Sequence, residues 1–285
     1  MTAVLEIGGT HVTAALVEQD GLRVSRRISR PVDARASAEN VLGAVIRCAE
    51  ELGAPAGGVW GVAVPGPFDY GKGIARFEGV GKFDDLYGID VRAVLLDGVR
   101  PRPTDVVFLN DAHAFLLGEW RAGAARGERR CAGITLGTGV GSAFLADGEV
   151  RRDGPGVPPE GRVDLLKWAG APLEDTVSRR AILARYRDGD ADVHDVAARA
   201  REGDRRARRV LDEALTALGV VLAPCLRDFR ASVLVVGGSM ARSWDLVRPS
   251  LRSGLGDTPV RVRRGLLAGD AALVGAAGYA VASRS

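Results

Sequence analysis

A strand, a glycine-rich turn and a second strand occur twice in this chain, and this repeat restricts the fold more than any other sequence feature. The first copy spans residues 4–21 around Gly8-Gly9-Thr10, and the second spans residues 132–148 around Gly137-Thr138-Gly139. Apolar residues that favour strands flank both turns, and each copy ends in an Asp-Gly pair, which is typical of antiparallel hairpins. The chain is therefore predicted to contain two halves that each begin with a similar glycine hairpin.

Helices and buried strands alternate through the rest of the chain. Hydrophobic periodicity predicts helices at residues 37–52, 112–125, 173–186, 204–229 and 270–282, and buried strands at residues 59–64, 105–109 and 232–236. Residues 66–105 are rich in Gly, Asp and Pro, and we interpret them as loops that cover a cleft. This alternation of strands and helices indicates the α/β class.

Length and charge exclude several classes of protein. A chain of 285 residues is long enough for two domains. Its 39 basic and 36 acidic residues give a formal net charge of +3, which does not favour a nucleic-acid partner. No apolar run approaches the roughly 18 residues that a membrane span needs, and the N-terminal stretch does not resemble a signal peptide. We therefore expect a cytoplasmic protein with no membrane partner.

The cysteines and histidines do not form a recognisable metal site. There are three of each, and neither set shows the CxxC or Cys/His spacing of zinc ligands. We therefore expect no zinc.

The glycine turns are candidate phosphate sites, because a backbone without Cβ atoms lets N–H groups approach an anion. A lone glycine cluster is usually only a tight turn, but two in matching contexts, with a third after a late buried strand, favour nucleotide binding. The sequence lacks both a Walker A motif and a strand–GxGxxG–helix unit, which argues against P-loop and dinucleotide folds. The predicted nucleotide-binding residues are Gly8, Gly9, Thr10, Gly137, Thr138, Gly139, Gly237 and Gly238.

Asn110-Asp111 stands at the end of an apolar strand and the start of a predicted helix. A carboxylate in this position can accept the proton of an alcohol that attacks a γ-phosphate. The alternative is that Asp111 only caps the helix. Because two candidate phosphate hairpins accompany it, we interpret Asp111 as the catalytic base.

In this order, the landmarks resemble those of the ROK family of sugar kinases and regulators. The resemblance runs from about Val4 to Ala282 and is carried by Glu6-Ile7-Gly8-Gly9-Thr10, Val64-Pro65-Gly66-Pro67, Asn110-Asp111-Ala112, Leu136-Gly137-Thr138-Gly139-Val140-Gly141, Val236-Gly237-Gly238-Ser239 and Ala272-Leu273-Val274-Gly275-Ala276-Ala277. It implies two ribonuclease-H-like lobes of the actin/hexokinase type around a central cleft, and it suggests a homodimer. We expect residues 1–108 and 270–285 to form the small lobe and residues 109–269 the large one.

The resemblance also implies which residues hold a sugar. Family members carry an E-x-G-H element, then a cysteine-rich zinc loop, then an L-E element. Here Glu160-Gly161-Arg162-Val163 is the nearest match to the first and lacks the histidine, the zinc loop is missing, and Leu173-Glu174 keeps the later spacing. The implied sugar-binding groups are therefore Glu174, Glu160, the Asn110 side chain and the backbone of Gly66. An exposed glutamate at a helix end is the alternative interpretation of both glutamates.

The nucleotide is implied to be ATP with Mg²⁺. Thr10 and Thr138 would contact its phosphates, and Gly237-Gly238 would lie near the nucleoside. The family motif usually begins with an aspartate that orients magnesium through water. Glu6 occupies that position here with one additional methylene, and it is our candidate for the same role.

We therefore expect an ATP-dependent phosphotransferase that phosphorylates a primary hydroxyl of a hexose, an amino sugar or a sugar-like cyclitol. Residues 76–83 lack the asparagine that the family places before the sugar, and they form either a different substrate-reading loop or a solvated one. Together with the missing zinc loop, this favours a specialised actinobacterial-type kinase, for instance of an amino sugar or a C7-cyclitol, over a plain glucokinase. The sequence does not choose between these acceptors.

Two alternatives keep the family but change the function. One is a ROK-type transcriptional regulator, but such proteins carry a helix-turn-helix domain ahead of the first phosphate motif. Because that motif begins at Glu6, we expect no such domain. The other is a catalytically inactive sugar-binding or regulatory protein. Glu6 and Val163 favour it, whereas the intact Asp111, Thr10 and second glycine hairpin argue against it.

Overall fold

The computed structural model describes residues 1–20, 22–188 and 191–283. The strands, in chain order, are β1 (Thr2–Ile7), β2 (His11–Glu18), β3 (Arg23–Pro31), β4 (Val59–Val64), β5 (Phe68–Asp69), β6 (Ile74–Ala75), β7 (Asp105–Asn110), β8 (Arg130–Leu136), β9 (Val140–Ala146), β10 (Glu149–Val150), β11 (Lys167–Trp168), β12 (Ala171–Pro172), β13 (Val233–Gly237) and β14 (Arg261–Arg264). The helices are α1 (Ala38–Leu52), α2 (Val91–Gly98), α3 (Asp111–Ala122), α4 (Glu174–Val177), α5 (Arg179–Tyr186), α6 (Val193–Arg201), α7 (Arg205–Phe229), α8 (Trp244–Leu255) and α9 (Ala271–Ala282). The predicted α/β class is confirmed.

The chain divides into two compact units. The first is Met1–Ala122 together with the C-terminal segment from Gly269, and the second is Gly123–Ala268. The sequence predicts the division between residues 108 and 109, which lies within β7. In the structure α3 belongs to the first unit, because it packs along α9.

The sheet of the first unit has the strand order β3-β2-β1-β4-β7. Strands β1, β2 and β3 are antiparallel neighbours, whereas β4 and β7 run parallel to β1. The central strands are almost continuously buried, as expected for a sheet with helices on both faces. The edge strand β3 is largely exposed and carries four arginines, and such charges discourage edge-to-edge association.

Small residues on α9 explain how closely the helices of this unit pack. A Cβ atom at Gly275 would lie 1.9 Å from the carbonyl oxygen of Ala114 on α3, and one at Gly118 would lie 1.9 Å from that of Ala271. Only glycine permits this approach of two helix backbones. The run of small residues that predicted the final helix is therefore the surface on which α3 and α9 meet.

The sheet of the second unit has the order β10-β9-β8-β13-β14. Strands β8, β9 and β10 are antiparallel neighbours, and β13 and β14 run parallel to β8. The long helix α7 contributes much of the core through buried residues such as Leu211, Leu218 and Leu226. Within the residues that the structure describes, no helix combines the length and apolarity that crossing a lipid bilayer requires.

Several local predictions are confirmed and others are wrong. The Ser37 hydroxyl caps α1 by accepting the Asn40 N–H at 3.4 Å. Asp147-Gly148 forms the predicted turn between β9 and β10. The predicted Asp20-Gly21 turn includes Gly21, which lies outside the described residues. Residues 66–105 are not only loops, because α2 forms within them, and the predicted helix 173–186 is split at Ser178.

Candidate functional site

The register of the first sheet brings three candidate segments to one edge. Glu6 pairs with Ala63, and Ala63 pairs with Leu109, all in parallel strands. The carboxyl ends of β1, β4 and β7 therefore lie side by side, which is where open α/β sheets bind ligands. The residues that follow these ends are the first glycine hairpin, Pro65-Gly66-Pro67 and Asp111.

The first glycine hairpin is open at its tip. The Gly8 N–H donates to the His11 carbonyl oxygen at 2.9 Å, which closes the turn. Gly9 and Thr10 are exposed, and a Cβ atom at Gly9 would meet no other atom within 4 Å. The backbone at the tip is therefore accessible to a ligand, as a phosphate site requires.

Asn110, rather than Asp111, supplies the main cap of α3. Its Oδ1 atom accepts the N–H groups of Ala112 and His113 at 2.9 and 3.3 Å. Asp111 is the first residue of the helix, and its Oδ1 accepts the Ala112 N–H at 2.8 Å. Since the cap does not depend on Asp111, the capping alternative is not needed to explain the carboxylate at this position.

Two half-buried carboxyl groups, those of Asp111 and Glu6, lie at this edge. Burial raises the pKa of Asp111, while the Ala112 N–H, the charge of Lys82 and the Asn110 amide lower it. Burial and the charge of Asp111 raise the pKa of Glu6 to about 7, and Arg27 only partly opposes this. A cation at this edge would relieve the repulsion between the two carboxylates.

The site also includes the hydroxyl group of Tyr70, which the sequence does not predict to lie there. The Tyr70 hydroxyl accepts an N–H of the Asn110 amide at 3.1 Å and donates to the Val64 carbonyl oxygen at 3.4 Å. It also lies 3.4 Å from the position of a Cβ atom at Gly66, so Gly66 and Asn110 flank the same hydroxyl. Nothing in the sequence pattern links Tyr70 to Asn110, because the contact joins residues that are 40 positions apart.

The segment 76–83 is fastened at both ends. Phe77 and Phe83 are buried with their ring centroids 5.2 Å apart, and both lie in the core of the first unit. The Asp84 carboxylate accepts the N–H groups of Val80 and Gly81, each at 3.1 Å. Lys82 is half-buried and forms no ion pair or hydrogen bond with the described residues. This segment is therefore an ordered turn that holds an unpaired cation.

The second glycine hairpin is closed by Gly137, whose N–H donates to the Gly139 carbonyl oxygen at 3.1 Å. The carboxylate of Glu174 lies close to this turn, because a Cβ atom at Gly139 would lie 2.5 Å from Oε1 of Glu174. Thr138 at the tip is exposed. The structure therefore brings Glu174 to the second hairpin, although 35 positions separate it from Gly139 in the sequence.

The Gly-Gly pair after β13 lies at the same edge of the second sheet as this hairpin. Gly237 pairs with Thr135 on β8, and Gly238 follows with φ of +82°. A Cβ atom at Gly238 would lie 2.3 Å from the Leu136 carbonyl oxygen, so this position requires glycine. The predicted nucleotide-binding residues of the second unit are therefore neighbours in space.

Glu160 differs from Glu174 in its surroundings. It is exposed in a 3₁₀ turn with φ of +58°, and its carboxylate pairs with no group in the described ranges. The turn itself is anchored to β9, because the Ser142 hydroxyl donates to the Gly161 carbonyl oxygen at 2.6 Å and accepts the Val163 N–H at 3.0 Å. The structure thus fixes the backbone around Glu160 but leaves its side chain free.

A short hairpin occupies the region where the resemblance would place a zinc loop. Strands β11 and β12 pair, and the Leu173 N–H donates to the Leu166 carbonyl oxygen at 2.6 Å. Among residues 1–20, 22–188 and 191–283, no group of three or more His, Cys, Asp or Glu side chains is placed to hold a metal ion.

The chain is similar to known proteins in sequence and in fold. The model of the ROK family matches residues 2–282. A glucokinase of Thermotoga maritima is 29% identical over 282 residues, covering 89% of this chain and 86% of the glucokinase. An N-acetylmannosamine kinase of Salmonella heidelberg is 27% identical over 301 residues, covering 97% of both chains. The crystal structure of a ROK family glucokinase from Streptomyces griseus in complex with glucose and AMPPNP is 25% identical, with a TM-score of 0.79 over 99% of both chains.

Proposed function

The chain belongs to the ROK family, and we infer from this membership and from its candidate site that it is an ATP-dependent sugar kinase. The observation that carries the inference is the edge of the first sheet, where the open glycine hairpin and Asp111 follow β1 and β7, the two parallel strands on either side of β4. Its relatives are glucokinases and N-acetylmannosamine kinases. These support a hexose or an amino sugar as the acceptor, phosphorylated on a primary hydroxyl.

Asp111 is proposed as the general base. As the acceptor oxygen attacks the γ-phosphorus of ATP, its proton passes to the Asp111 carboxylate, the bond to the β-phosphate oxygen breaks, and ADP leaves. The carboxylate must be ionised to accept this proton. The Ala112 N–H, Lys82 and the Asn110 amide favour the ionised form and oppose part of the effect of burial, which raises the pKa of Asp111.

The nucleotide is proposed to bind to Gly8, Gly9 and Thr10 and to Gly137, Thr138 and Gly139 through its phosphates, and to Gly237-Gly238 near its nucleoside. The open tip at Gly9 supports this assignment. Glu6 is proposed to hold Mg²⁺ through water. The residues fit such an ion, because the carboxyl groups of Glu6 and Asp111 lie at the same edge of the sheet, and a cation there would favour the ionised form of both. When bound, the ion would neutralise charge on the phosphates.

The acceptor is proposed to contact Asn110, Glu174, Glu160 and the backbone of Gly66. Charged carboxylates that accept sugar hydroxyls give strong hydrogen bonds and therefore selectivity. The position of Glu174 against the second hairpin supports its inclusion, whereas Glu160 rests on its place in the sequence. A sugar-like C7-cyclitol with a primary hydroxyl is proposed as a further acceptor to test.

The deciding experiment measures ADP release with glucose, mannose, N-acetylmannosamine, glucosamine and a C7-cyclitol. The matched control is Asp111→Asn, which keeps the shape of the side chain but removes the base. We expect at least one acceptor to give turnover that falls by roughly 10²- to 10⁴-fold in the variant. If no acceptor gives turnover above that of the variant, the protein is an inactive sugar-binding member of the family.

A further inference from the structure

Both oxygen lone pairs of the Asn110 amide are committed to the backbone of α3. Oδ1 accepts two N–H groups, from Ala112 at 2.9 Å and from His113 at 3.3 Å. An amide oxygen has two such positions, so Asn110 has only its two N–H donors left for other partners. One of these donates to the Tyr70 hydroxyl at 3.1 Å. The Asn110 amide is linked to Asp111 through the Ala112 N–H, which donates to Oδ1 of both residues, at 2.9 and 2.8 Å.

The Tyr70 hydroxyl is itself held in place. It donates to the Val64 carbonyl oxygen at 3.4 Å, so its lone pairs face the Asn110 amide. Its ring packs against Phe68 with centroids 5.4 Å apart, and Phe68 in turn packs against Phe108 at 5.1 Å. Phe68 and Phe108 are both buried in the core of the first unit. The hydroxyl is therefore fixed from the ring side as well as through its hydrogen bonds.

We propose that Tyr70 is a positioning residue that holds the Asn110 amide, and through it the Asp111 carboxylate, in the orientation that receives the acceptor hydroxyl. This proposal rests on the proposed kinase function. Tyr70 does not act on the acceptor directly in this scheme. Its effect passes through Asn110, so removing the hydroxyl has a consequence only while the Asn110 amide is present.

The test compares Tyr70→Phe with the wild type and with Tyr279→Phe. Tyr70→Phe removes one oxygen and keeps the ring that packs against Phe68. Tyr279 on α9 is partly exposed and makes no side-chain hydrogen bond within the described part of the chain, so it controls for loss of a tyrosine hydroxyl. We expect Tyr70→Phe to lower kcat/KM for the acceptor about threefold to tenfold, with the KM for ATP unchanged. An unchanged kcat/KM overturns the proposal.

A double-mutant cycle separates positioning from a merely structural role. In an Asn110→Ala background, Tyr70→Phe is expected to cause no further loss of kcat/KM, because the amide on which it acts is gone. Losses that add in the double variant show that Tyr70 acts independently of Asn110, and they also overturn the proposal. Melting curves of all variants verify that each one is folded.

A spectroscopic readout keeps the test independent of turnover. The side-chain amide signals of Asn110 are identified in an ¹⁵N-labelled sample by their loss in Asn110→Ala. We expect them to move in Tyr70→Phe and to stay in place in Tyr279→Phe. If no acceptor is phosphorylated, the kinase assignment fails but this measurement still decides the role of Tyr70. Unmoved signals in Tyr70→Phe overturn it.

Discussion

The two units of the molecule contain the same arrangement of five strands. They differ at the turn that follows β1 in the first unit and β8 in the second. In each sheet, three antiparallel neighbours are followed by two more strands, in the orders β3-β2-β1-β4-β7 and β10-β9-β8-β13-β14. These last two strands run parallel to β1 in the first sheet and to β8 in the second. The ladder closes at Ile7 and Val12 in the first hairpin and at Leu136 and Val140 in the second. The second turn is therefore shorter by one residue.

The side chains around the two turns differ more than the backbones. The residue before the last in the first strand is Glu6 in one unit and Thr135 in the other. The tip of the first hairpin faces open space at Gly9, whereas Glu174 stands against Gly139 in the second. The first hairpin thus has its charge at the base of the turn, and the second has its charge beside the tip.

The repeated frame carries different residues after the third parallel strand of each unit. In the first unit, the third parallel strand ends at Asn110 and leads into Asp111 at the start of a helix. In the second, the corresponding strand β14 ends at Arg264 and leads into Gly265. The candidate base therefore occurs in the first unit, and the second unit has a backbone turn with the Glu174 carboxylate beside it.

The largest expected effect tests which glutamate of the second unit reads the acceptor. Glu174→Gln is expected to raise the acceptor KM roughly 10- to 100-fold, because it replaces a charged hydrogen-bond acceptor with a neutral one. Glu160→Gln is expected to change that KM by less than about threefold, since its carboxylate is exposed. Steady-state kinetics with the best acceptor check both. An equal or larger effect at Glu160 would transfer the acceptor role to it.

The carboxyl group of Glu6, at the base of the first hairpin, is expected to make the free energy of unfolding depend on pH. The pKa of Glu6 rises from 4.5 to about 7 on folding, so the folded protein binds more protons than the unfolded chain between these values. The free energy of unfolding is therefore expected to decrease as pH rises from 4.5 to 7, by on the order of 2 kcal/mol from this group. Glu6→Gln should remove this part of the pH dependence.

Urea unfolding at several pH values, in buffer without nucleotide or magnesium, measures the effect of Glu6→Gln. The matched control is Thr135→Val at the corresponding position of the second hairpin, which carries no titratable group and should leave the pH dependence unchanged. A Glu6→Gln variant with the same slope as the wild type would mean that Glu6 is ionised in the folded protein throughout this range.

Substitutions at the tips of the two hairpins are expected to have smaller effects. Gly9→Ala places a methyl group in the open space assigned to a phosphate, and the KM for ATP is expected to rise about tenfold or less. Gly139→Ala instead places its methyl group 2.5 Å from Glu174 Oε1, which moves that flexible side chain. We expect its acceptor KM to rise several-fold, and not to rise further in the Glu174→Gln background. The opposite assignment of the two KM effects would contradict the proposed roles of the hairpins.

Much of this frame could be predicted from the sequence because its signals are local. The glycine turns, the Ser37 cap of α1 and the buried strands before Asn110 and Gly237 each depend on neighbours along the chain. The order of these landmarks then indicates the candidate base and the glycines that are proposed to bind the nucleotide.

The remaining features depend on contacts that the local pattern does not encode. Helix α2 lies among Gly, Asp and Pro residues, and only its Asp90 cap marks its start. Strand β14 is a run of three arginines and one valine, which reads as a solvated segment until β13 pairs with it. Tyr70 and Lys82 reach the site only through the fold, so no spacing rule could have assigned them.

The smallest expected effect tests the positive charge of Lys82 in the first unit. Lys82 lowers the pKa of Asp111, so Lys82→Met should raise that pKa and move the acidic limb of the kcat/KM profile to higher pH, by roughly 0.3 to 1 unit. The sign follows because Asp111 must be ionised to accept the proton of the acceptor. Lys72→Met, which removes an exposed lysine from the same unit, should leave the limb in place. A limb that stays fixed in Lys82→Met would show that the hydrogen bonds from Ala112 and Asn110 suffice to keep Asp111 ionised. Near their hairpins, the two units would then differ in functional charge only through their carboxylates.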